Sequence, residues 1–277
     1  MNQSLGSALN WAERKLNLAD VSTAHLDALV LLEDITKIDR AHLLSEPSIS
    51  ISESTFKQYK RKVSARAKHI PLAYIRSQSE FYNRKLYINK NVLEPRPESE
   101  TLIDEFLAIA DQNQAPKTVI DIGTGSGALI ISAALERPNI TAIGVDIDPK
   151  CLAVARKNAT SYNLKIDFYC GNLLSPIPKK RLENEQAIIL ANLPYIPDDW
   201  HINQAASYEP EKAIFGGPDG LKLYRKLFKQ LNFLDQPPEW VLAESMPPQH
   251  DKLTKIAALS DYKEVSVNDF VLVFKHF

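Results

Sequence analysis

Thr118-Val119-Ile120-Asp121-Ile122-Gly123-Thr124-Gly125-Ser126-Gly127 decides the fold. Its first half is β-branched and apolar, as a buried strand requires. The alternating glycines that follow let the backbone turn sharply and approach a ligand. A helix over Ala128–Leu135 comes next, and the alternation continues toward the C-terminus. Thr141–Val145 reads as a strand, and Pro149–Ala159 as a helix with Pro149 in its first turn, where a missing N–H does no harm. Ile166–Cys170, Ala187–Ala191 and Trp240–Ala243 read as further strands. Asp251–Leu259 is a helix, and Glu264–Val267 with Phe270–Phe274 a closing antiparallel pair. Such alternation predicts an α/β fold: a mostly parallel sheet with helices on both faces.

The glycine spacing also bears on the ligand. A dinucleotide site wants G-x-G-x-x-G, with a pyrophosphate on the helix N-terminus. Here the run is G-x-G-x-G behind Asp121, an acid that repels a pyrophosphate but holds an amino group. This disfavours a dehydrogenase. Asp146, at the end of the next strand, is placed to accept hydrogen bonds from ribose hydroxyls. A ligand with a ribose, no phosphate and an amino-acid end is S-adenosylmethionine. The predicted cofactor site is Asp121, Gly123, Thr124, Gly125, Ser126, Gly127 and Asp146. Asn172 and Leu173 are candidates for the adenine amino group and ring, and Asn192 for a further contact; for Asn172 a plain turn residue is nearly as good a reading.

Ile189-Leu190-Ala191-Asn192-Leu193-Pro194-Tyr195 reads as a buried strand that ends in a rigid polar corner. Pro194 fixes its own φ and biases Leu193 toward extended geometry, so the Leu193 carbonyl points in one direction. The Asn192 side-chain oxygen stands beside it as a second acceptor, and Tyr195 adds a flat ring. Two acceptors and a ring suit a planar nitrogen with two N–H groups, in an amide or an exocyclic amine. An isolated Asn-x-Pro-Tyr is more often a simple turn, but this one has Asp121 and Asp146 for company. Asn192, Leu193, Pro194 and Tyr195 are therefore the predicted catalytic and acceptor-binding residues. Arg96, Glu98 and Glu209 either line the substrate entrance or form surface ion pairs, with Arg96 and Glu209 taken as acceptor-binding candidates. Glu244 ends the fifth strand and receives no role.

Composition narrows the class. A chain of 277 residues, 44% hydrophobic, suffices for one large α/β domain and a small one. A formal charge of −1 argues against a general nucleic-acid binder. Cys151 and Cys170 lack disulfide or metal spacing, and the six histidines form no ligand motif, so no metal is expected. No stretch is long and apolar enough for a membrane span, and no signal pattern opens the chain, which points to the cytoplasm. The first seventy or so residues read helical. Leu5, Ala8, Leu9, Ala12 and Leu16 mark one helix, and Ser22-Thr23 is a candidate cap for a second carrying Leu26, Leu29, Val30 and Leu32. Phe56, Tyr59, Val63 and Ala67 mark another, whose other face holds Lys57, Lys60, Arg61, Lys62, Arg66 and Lys68. That face is either solvated or a docking surface for nucleic acid or an acidic partner. Glu80–Ile88 suggests a β-hairpin turning near Asn83, and Pro95–Glu100 opens a helix.

Several stretches together resemble the release-factor glutamine methyltransferases of the HemK/PrmC family. Ile70-Pro71-Leu72-Ala73-Tyr74-Ile75, Glu80-Phe81-Tyr82 and Pro95-Arg96-Pro97-Glu98-Ser99-Glu100 are similar to its linker and domain-entry motifs. Asp121–Gly127 is similar to its cofactor motif, and Tyr208-Glu209-Pro210, Phe215–Leu221 and Tyr224-Arg225 to its segment after the catalytic turn. The resemblance implies a seven-stranded Rossmann-like methyltransferase domain over 95–277, a β-hairpin linker over 73–94, and a helical substrate-docking domain over 1–72. It also implies methylation of the side-chain amide nitrogen of the Gln in a Gly-Gly-Gln loop of class I peptide chain release factors. The family's corner is usually Asn-Pro-Pro-Tyr, and Leu193 departs from it; so do Ser79, where Gly is common, and Glu94, where an apolar residue is usual. The rival acceptors are a ribosomal-protein glutamine and adenine N6 of a nucleic acid. A catalytically silent binding module is the rival of another class.

Overall fold

In the computed structural model, which describes residues 3–111, 117–183 and 186–277, the chain forms two units. One reaches to Ser77 and includes Asn203–Tyr208; the other holds Gln78–Ile202 and Glu209–Phe277. In the first, β1 (Gln3–Ser4) is followed by α1 (Leu5–Asn17), α2 (Ala24–Thr36), α3 (Arg40–Ser45), β2 (Ser50–Ile51), α4 (Glu53–Arg66) and α5 (Leu72–Arg76). Ser4 and Ser7 close a capping box at the start of α1. Leu5, Ala8, Ala12 and Leu16 then pack with Ala28, Leu31 and Leu32 of α2 and with Tyr59 and Val63 of α4. The buried Tyr59 hydroxyl donates to the Ala28 carbonyl at 2.8 Å, which satisfies a polar atom inside this small core.

Three expectations for this unit need correction. Thr23 precedes α2 but does not cap it: its backbone is not extended, and its hydroxyl turns to Asp27 Oδ2 at 2.9 Å. Leu26 is exposed rather than part of the packed stripe. Arg66 leaves the basic face of α4, because the buried Asp27 carboxylate takes its Nε at 2.6 Å and needs a charged partner there. Lys57, Lys60, Arg61, Lys62 and Lys68 have no ion-pair partner among the described residues.

The second unit opens with a hairpin, β3 (Gln78–Phe81) and β4 (Arg84–Tyr87). Tyr82 and Asn83 both sit in the left-handed region, at φ 48° and 60°, as a two-residue turn matched to strand twist demands. After a 3-10 turn at Pro97–Ser99 come α6 (Glu100–Ala110), β5 (Thr118–Ile122), α7 (Ala128–Glu136), β6 (Thr141–Asp146), α8 (Pro149–Ser161) and β7 (Asp167–Cys170). They are followed by α9 (Lys179–Leu182), β8 (Ala187–Ala191), α10 (Lys222–Leu231), β9 (Trp240–Glu244), α11 (His250–Ala258), β10 (Tyr262–Asn268) and β11 (Val271–His276).

The sheet has seven strands in the order β10-β11-β9-β8-β5-β6-β7, and β11 alone runs antiparallel to its neighbours. Strands β5 and β8 are buried along their whole length, which accounts for the unbroken apolar run of β8 and for β5 being apolar but for Thr118 and Asp121. The chain moves outward from β5 through β6 to β7, then returns to place β8 on the other side of β5. Such a reversal opens a crevice at the carboxyl ends of the two central strands. Element bounds differ from the sequence reading by a residue or two, and Phe270 lies in the turn before β11 rather than within it. No helix of the described residues is long and apolar enough to cross a membrane.

Candidate active site

Ile122 of β5 lies opposite Ala191 of β8, so the glycine loop after one strand and the polar corner after the other face the same crevice. Gly123, Gly125 and Gly127 all have positive φ, which bends the loop back toward β6. Thr124 Oγ1 donates to Asp121 Oδ2 at 2.6 Å, beneath the loop. Burial pushes the Asp121 carboxyl up to about 7, against the pull of the Thr124 hydroxyl and the Ile130 N–H. Asp146 Oδ2 accepts the Gly125 N–H at 2.9 Å, and Oδ1 accepts that of Asp148 at 2.8 Å. Its orientation is thereby fixed, while burial raises its pKa.

Two chambers meet here. The larger, about 160 Å³, is lined by Gly123, Gly125, Asp146, Ile147, Asn172, Leu173, Asn192, Leu193 and Pro194. The smaller is lined by Phe81, Arg96, Ser99, Asp121, Gly123, Thr124, Gly125, Ser126 and Asn192. Gly123, Gly125 and Asn192 border both. Leu173 holds φ 54°, uncommon for a leucine, with its side chain packed into the core under the larger chamber. The half-buried Asn172 side chain has no hydrogen-bond partner among the described residues. Gly127 lies behind the loop, packed against Ile131 and Ala155.

The corner after β8 is built from several directions. Leu193 N–H donates to the Tyr224 hydroxyl at 3.3 Å, and that hydroxyl donates to the Ala191 carbonyl at 2.9 Å and contacts the Glu244 carbonyl. One buried phenol thus ties β8 and β9 together at their ends. Asn192 Nδ2 donates to Ser99 Oγ at 2.7 Å. Neither Asn192 Oδ1 nor the Leu193 carbonyl accepts a hydrogen bond among the described residues. The Leu193 side chain is buried against the bare face of Gly123. Tyr195 donates its hydroxyl to Glu244 Oε1 at 3.0 Å, and burial holds that phenol well above its ordinary pKa.

The segment after the corner wraps it backbone to backbone. Gly216 N–H donates to the Ile196 carbonyl at 2.8 Å, and Gln249 Nε2 bridges the Tyr195 and Asp219 carbonyls at 2.8 and 3.0 Å. A Cβ on Gly216 would stand 2.2 Å from the Pro194 oxygen, and one on Gly220 would stand 1.9 Å from the Tyr195 oxygen. Only glycine permits that approach. Arg96 borders the smaller chamber and is paired with the buried Glu209, which also accepts the Glu94 N–H at 3.2 Å. Glu209 lines neither chamber, and Glu98 is exposed.

Sequence reasoning passed over Ser99, Asn158, Tyr224 and Gln249 as individual residues. Asn158 Nδ2 donates to the Ser126 and Tyr87 carbonyls at 2.8 and 3.0 Å, which laces the hairpin to the glycine loop. Its only signal was a polar residue on the buried side of α8.

The PrmC N-terminal domain family matches residues 7–76 and a methyltransferase domain family matches residues 113–232. The release factor glutamine methyltransferase of Coxiella burnetii (strain RSA 493 / Nine Mile phase I) is 33% identical, over 88% of this chain and 87% of that one. That of Bacillus cereus (strain ATCC 14579) is 34% identical, over 81% and 80%. Among solved structures, the hMettl16 catalytic domain in complex with the MAT2A 3'UTR hairpin 1 shares the fold, with a TM-score of 0.54 at 13% identity over 84% of both chains.

The tie through Tyr224 has a measurable consequence. Tyr224→Phe strands the Leu193 N–H and loosens two carbonyls, so we expect a loss of about 1–3 kcal/mol. Urea denaturation of the two proteins checks this, with an unchanged circular dichroism spectrum at zero urea as the control for the fold.

Proposed function

The chain belongs to the release factor glutamine methyltransferase family, and we propose that it methylates the glutamine side-chain amide nitrogen of the Gly-Gly-Gln loop of class I peptide chain release factors, with S-adenosylmethionine as donor. One observation carries this reading: Asn192 Oδ1 and the Leu193 carbonyl are open acceptors at a corner that borders both chambers.

The chambers suit the donor in shape and chemistry. In the larger, Asp146 accepts the ribose hydroxyls, Leu173 packs on the adenine, and the unpartnered Asn172 amide meets its amino group. In the smaller, the Asp121 carboxylate holds the ammonium group, while the loop from Gly123 to Gly127 keeps side chains out of the way. When bound, S-adenosylmethionine supplies a methyl group on a positively charged sulfur.

An amide nitrogen is a poor nucleophile because its lone pair is delocalised into the carbonyl. Asn192 Oδ1 and the Leu193 carbonyl each accept one N–H of the substrate amide, which fixes the nitrogen and turns its reactive face into the crevice. Tyr195 packs on the amide plane, and Pro194 keeps the Leu193 carbonyl aimed. The two oxygens also sit where positive charge grows on nitrogen. No strong base is needed, since a methylated cationic amide loses its proton to water readily. Because the corner uses the backbone of Leu193 rather than its side chain, leucine serves there.

Residues 1–72 act as the docking domain for the release factor and 73–94 as the linker to the methyltransferase domain over 95–277. Arg96, held by Glu209, lies at the acceptor entrance. The formal charge of −1 favours a protein acceptor over a nucleic acid. The work is done in the cytoplasm, with translation termination.

Mass spectrometry of a class I release factor incubated with the enzyme and donor should find one added methyl on the Gly-Gly-Gln glutamine. Asn192→Ala should slow this at least about a hundredfold; a loss below about tenfold would remove the corner from the chemistry.

Asp121 provides an independent check through pH. Its folded pKa, about 7, exceeds the carboxylate value of 3.8. A neutral acid cannot pair with the ammonium, so donor affinity should rise as pH increases through 7 and level off above it. The same shift makes apo stability from this group full below 3.8 and lost progressively as pH rises toward 7. In Asp121→Asn, calorimetric titration should show weaker donor binding without that pH dependence.

A further inference from the structure

The larger chamber has two walls drawn from distant parts of the chain. Asp146, Ile147 and Cys151 form one, at the turn from β6 into α8; Pro210, Lys212 and Ala213 form the other, in the segment after the corner. That second segment is anchored at both ends. Glu209 holds Arg96 and the Glu94 N–H, and the Ile214 carbonyl accepts the Ile196 N–H at 3.1 Å. Between these anchors, Lys212 Nζ donates to Asp148 Oδ2. Among the described residues no other hydrogen bond or ion pair joins residues 210–213 to residues 146–151.

The pair stands at the outer edge of the chamber, since the Lys212 side chain is 58% exposed and Ile147 is 63% exposed. An exposed ion pair adds little to the stability of a fold. This one bridges the two walls, and its acid belongs to the framework of the donor site. Asp148 caps α8, its Oδ1 accepting the Lys150 N–H at 2.8 Å, and its own N–H donates to Asp146 Oδ1 at 2.8 Å. Fixing the Asp148 carboxylate therefore fixes the turn that presents Asp146 to the chamber.

We infer that Lys212 is a positioning residue of the donor site: by clasping Asp148 it ties the two walls together around the adenosine part of the donor and steadies Asp146. This rests on the reading of the larger chamber as the adenosine site. Ligand charge separates a clasp from a simple charge effect. S-adenosylmethionine carries one net positive charge, from its sulfonium, ammonium and carboxylate, whereas S-adenosylhomocysteine carries none. A lysine acting through its charge alone repels the first and leaves the second unaffected, so its removal would tighten S-adenosylmethionine only. A clasp acts on the adenosine that both share, so its removal weakens both alike.

Calorimetric titration of the full chain with each ligand, and thermal melting without ligand, test this. The proteins compared are wild type, Lys212→Ala, Lys212→Arg, Asp148→Asn and the double variant of Lys212→Ala with Asp148→Asn. Asparagine is also a good helix cap, so Asp148→Asn removes the charge and keeps the start of α8. We expect Lys212→Ala and Asp148→Asn each to weaken both ligands about three- to fivefold, the upper end of what one exposed ion pair supplies. The double variant should bind no more weakly than the weaker single variant, because both break one pair. Lys212→Arg should stay within about 1.5-fold of wild type, since it keeps a cation that reaches the same carboxylate. Melting temperatures should hardly differ. The inference is overturned if Lys212→Ala binds both ligands within about 1.5-fold of wild type, if it tightens S-adenosylmethionine alone, if the single losses multiply, or if lost affinity tracks a lowered melting temperature. A wild type that binds neither ligand would overturn the reading of the chamber as well. A wild type that binds both, matched by Lys212→Ala, would overturn only the clasp.

Discussion

The site depends on keeping two acceptor oxygens open while the groups that position them are hydrogen-bonded. Buried polar groups normally find partners, and a strand end in a core would be expected to do so. At the end of β8 the Asn192 Oδ1 and the Leu193 carbonyl have none among the described residues, although the Ala191 carbonyl, the Leu193 N–H, the Asn192 Nδ2 and the Tyr195 carbonyl all do. Tyr224, Ser99 and Gln249 supply those bonds from three different segments. The corner is thus rigid without being closed. Rigidity matters because an amide nitrogen must be oriented more than activated, and orientation is what fixed acceptors provide.

The sheet order places this corner. Because the chain returns past β5 after β7, the glycine loop and the corner become neighbours, and Leu193 packs on Gly123. A leucine where the family commonly has proline is therefore accommodated by packing, while the following Pro194 still restricts its backbone. The other two departures from the family pattern compensate each other: Ser79 Oγ donates to Glu94 Oε1 at 3.2 Å. A buried hydroxyl and a carboxylate stand where a glycine and an apolar residue are usual, joined by a hydrogen bond.

What was legible in the sequence was local. Strand and helix periodicity, the glycine loop with Asp121 and Asp146, and the Asn-Leu-Pro-Tyr corner each sit within a few consecutive residues, so pattern and propensity reveal them. The supports did not show because they are long-range. Ser99 reaches Asn192 across 93 positions, and Asn158 reaches Tyr87 across 71. Glu244 was visible as a polar residue closing a strand, but its meaning depends on Tyr195, which only the β8–β9 pairing brings near. Arg66 misled for the same reason, since the buried Asp27 claims it from another helix, whereas Thr23 misled locally, because its hydroxyl donates to Asp27 one turn along the helix it precedes. In the Phe-Gly-Gly segment the glycines were visible, but the carbonyls they approach were not.

The most direct test is a crystal structure of the enzyme with S-adenosylhomocysteine and a peptide carrying Gly-Gly-Gln. We expect the glutamine amide nitrogen to lie at about 2.7–3.2 Å from both Asn192 Oδ1 and the Leu193 carbonyl oxygen, with the cofactor sulfur facing it across the crevice. A peptide amide bound away from those two oxygens, or a cofactor sulfur turned from the corner, would contradict the assignment of this site.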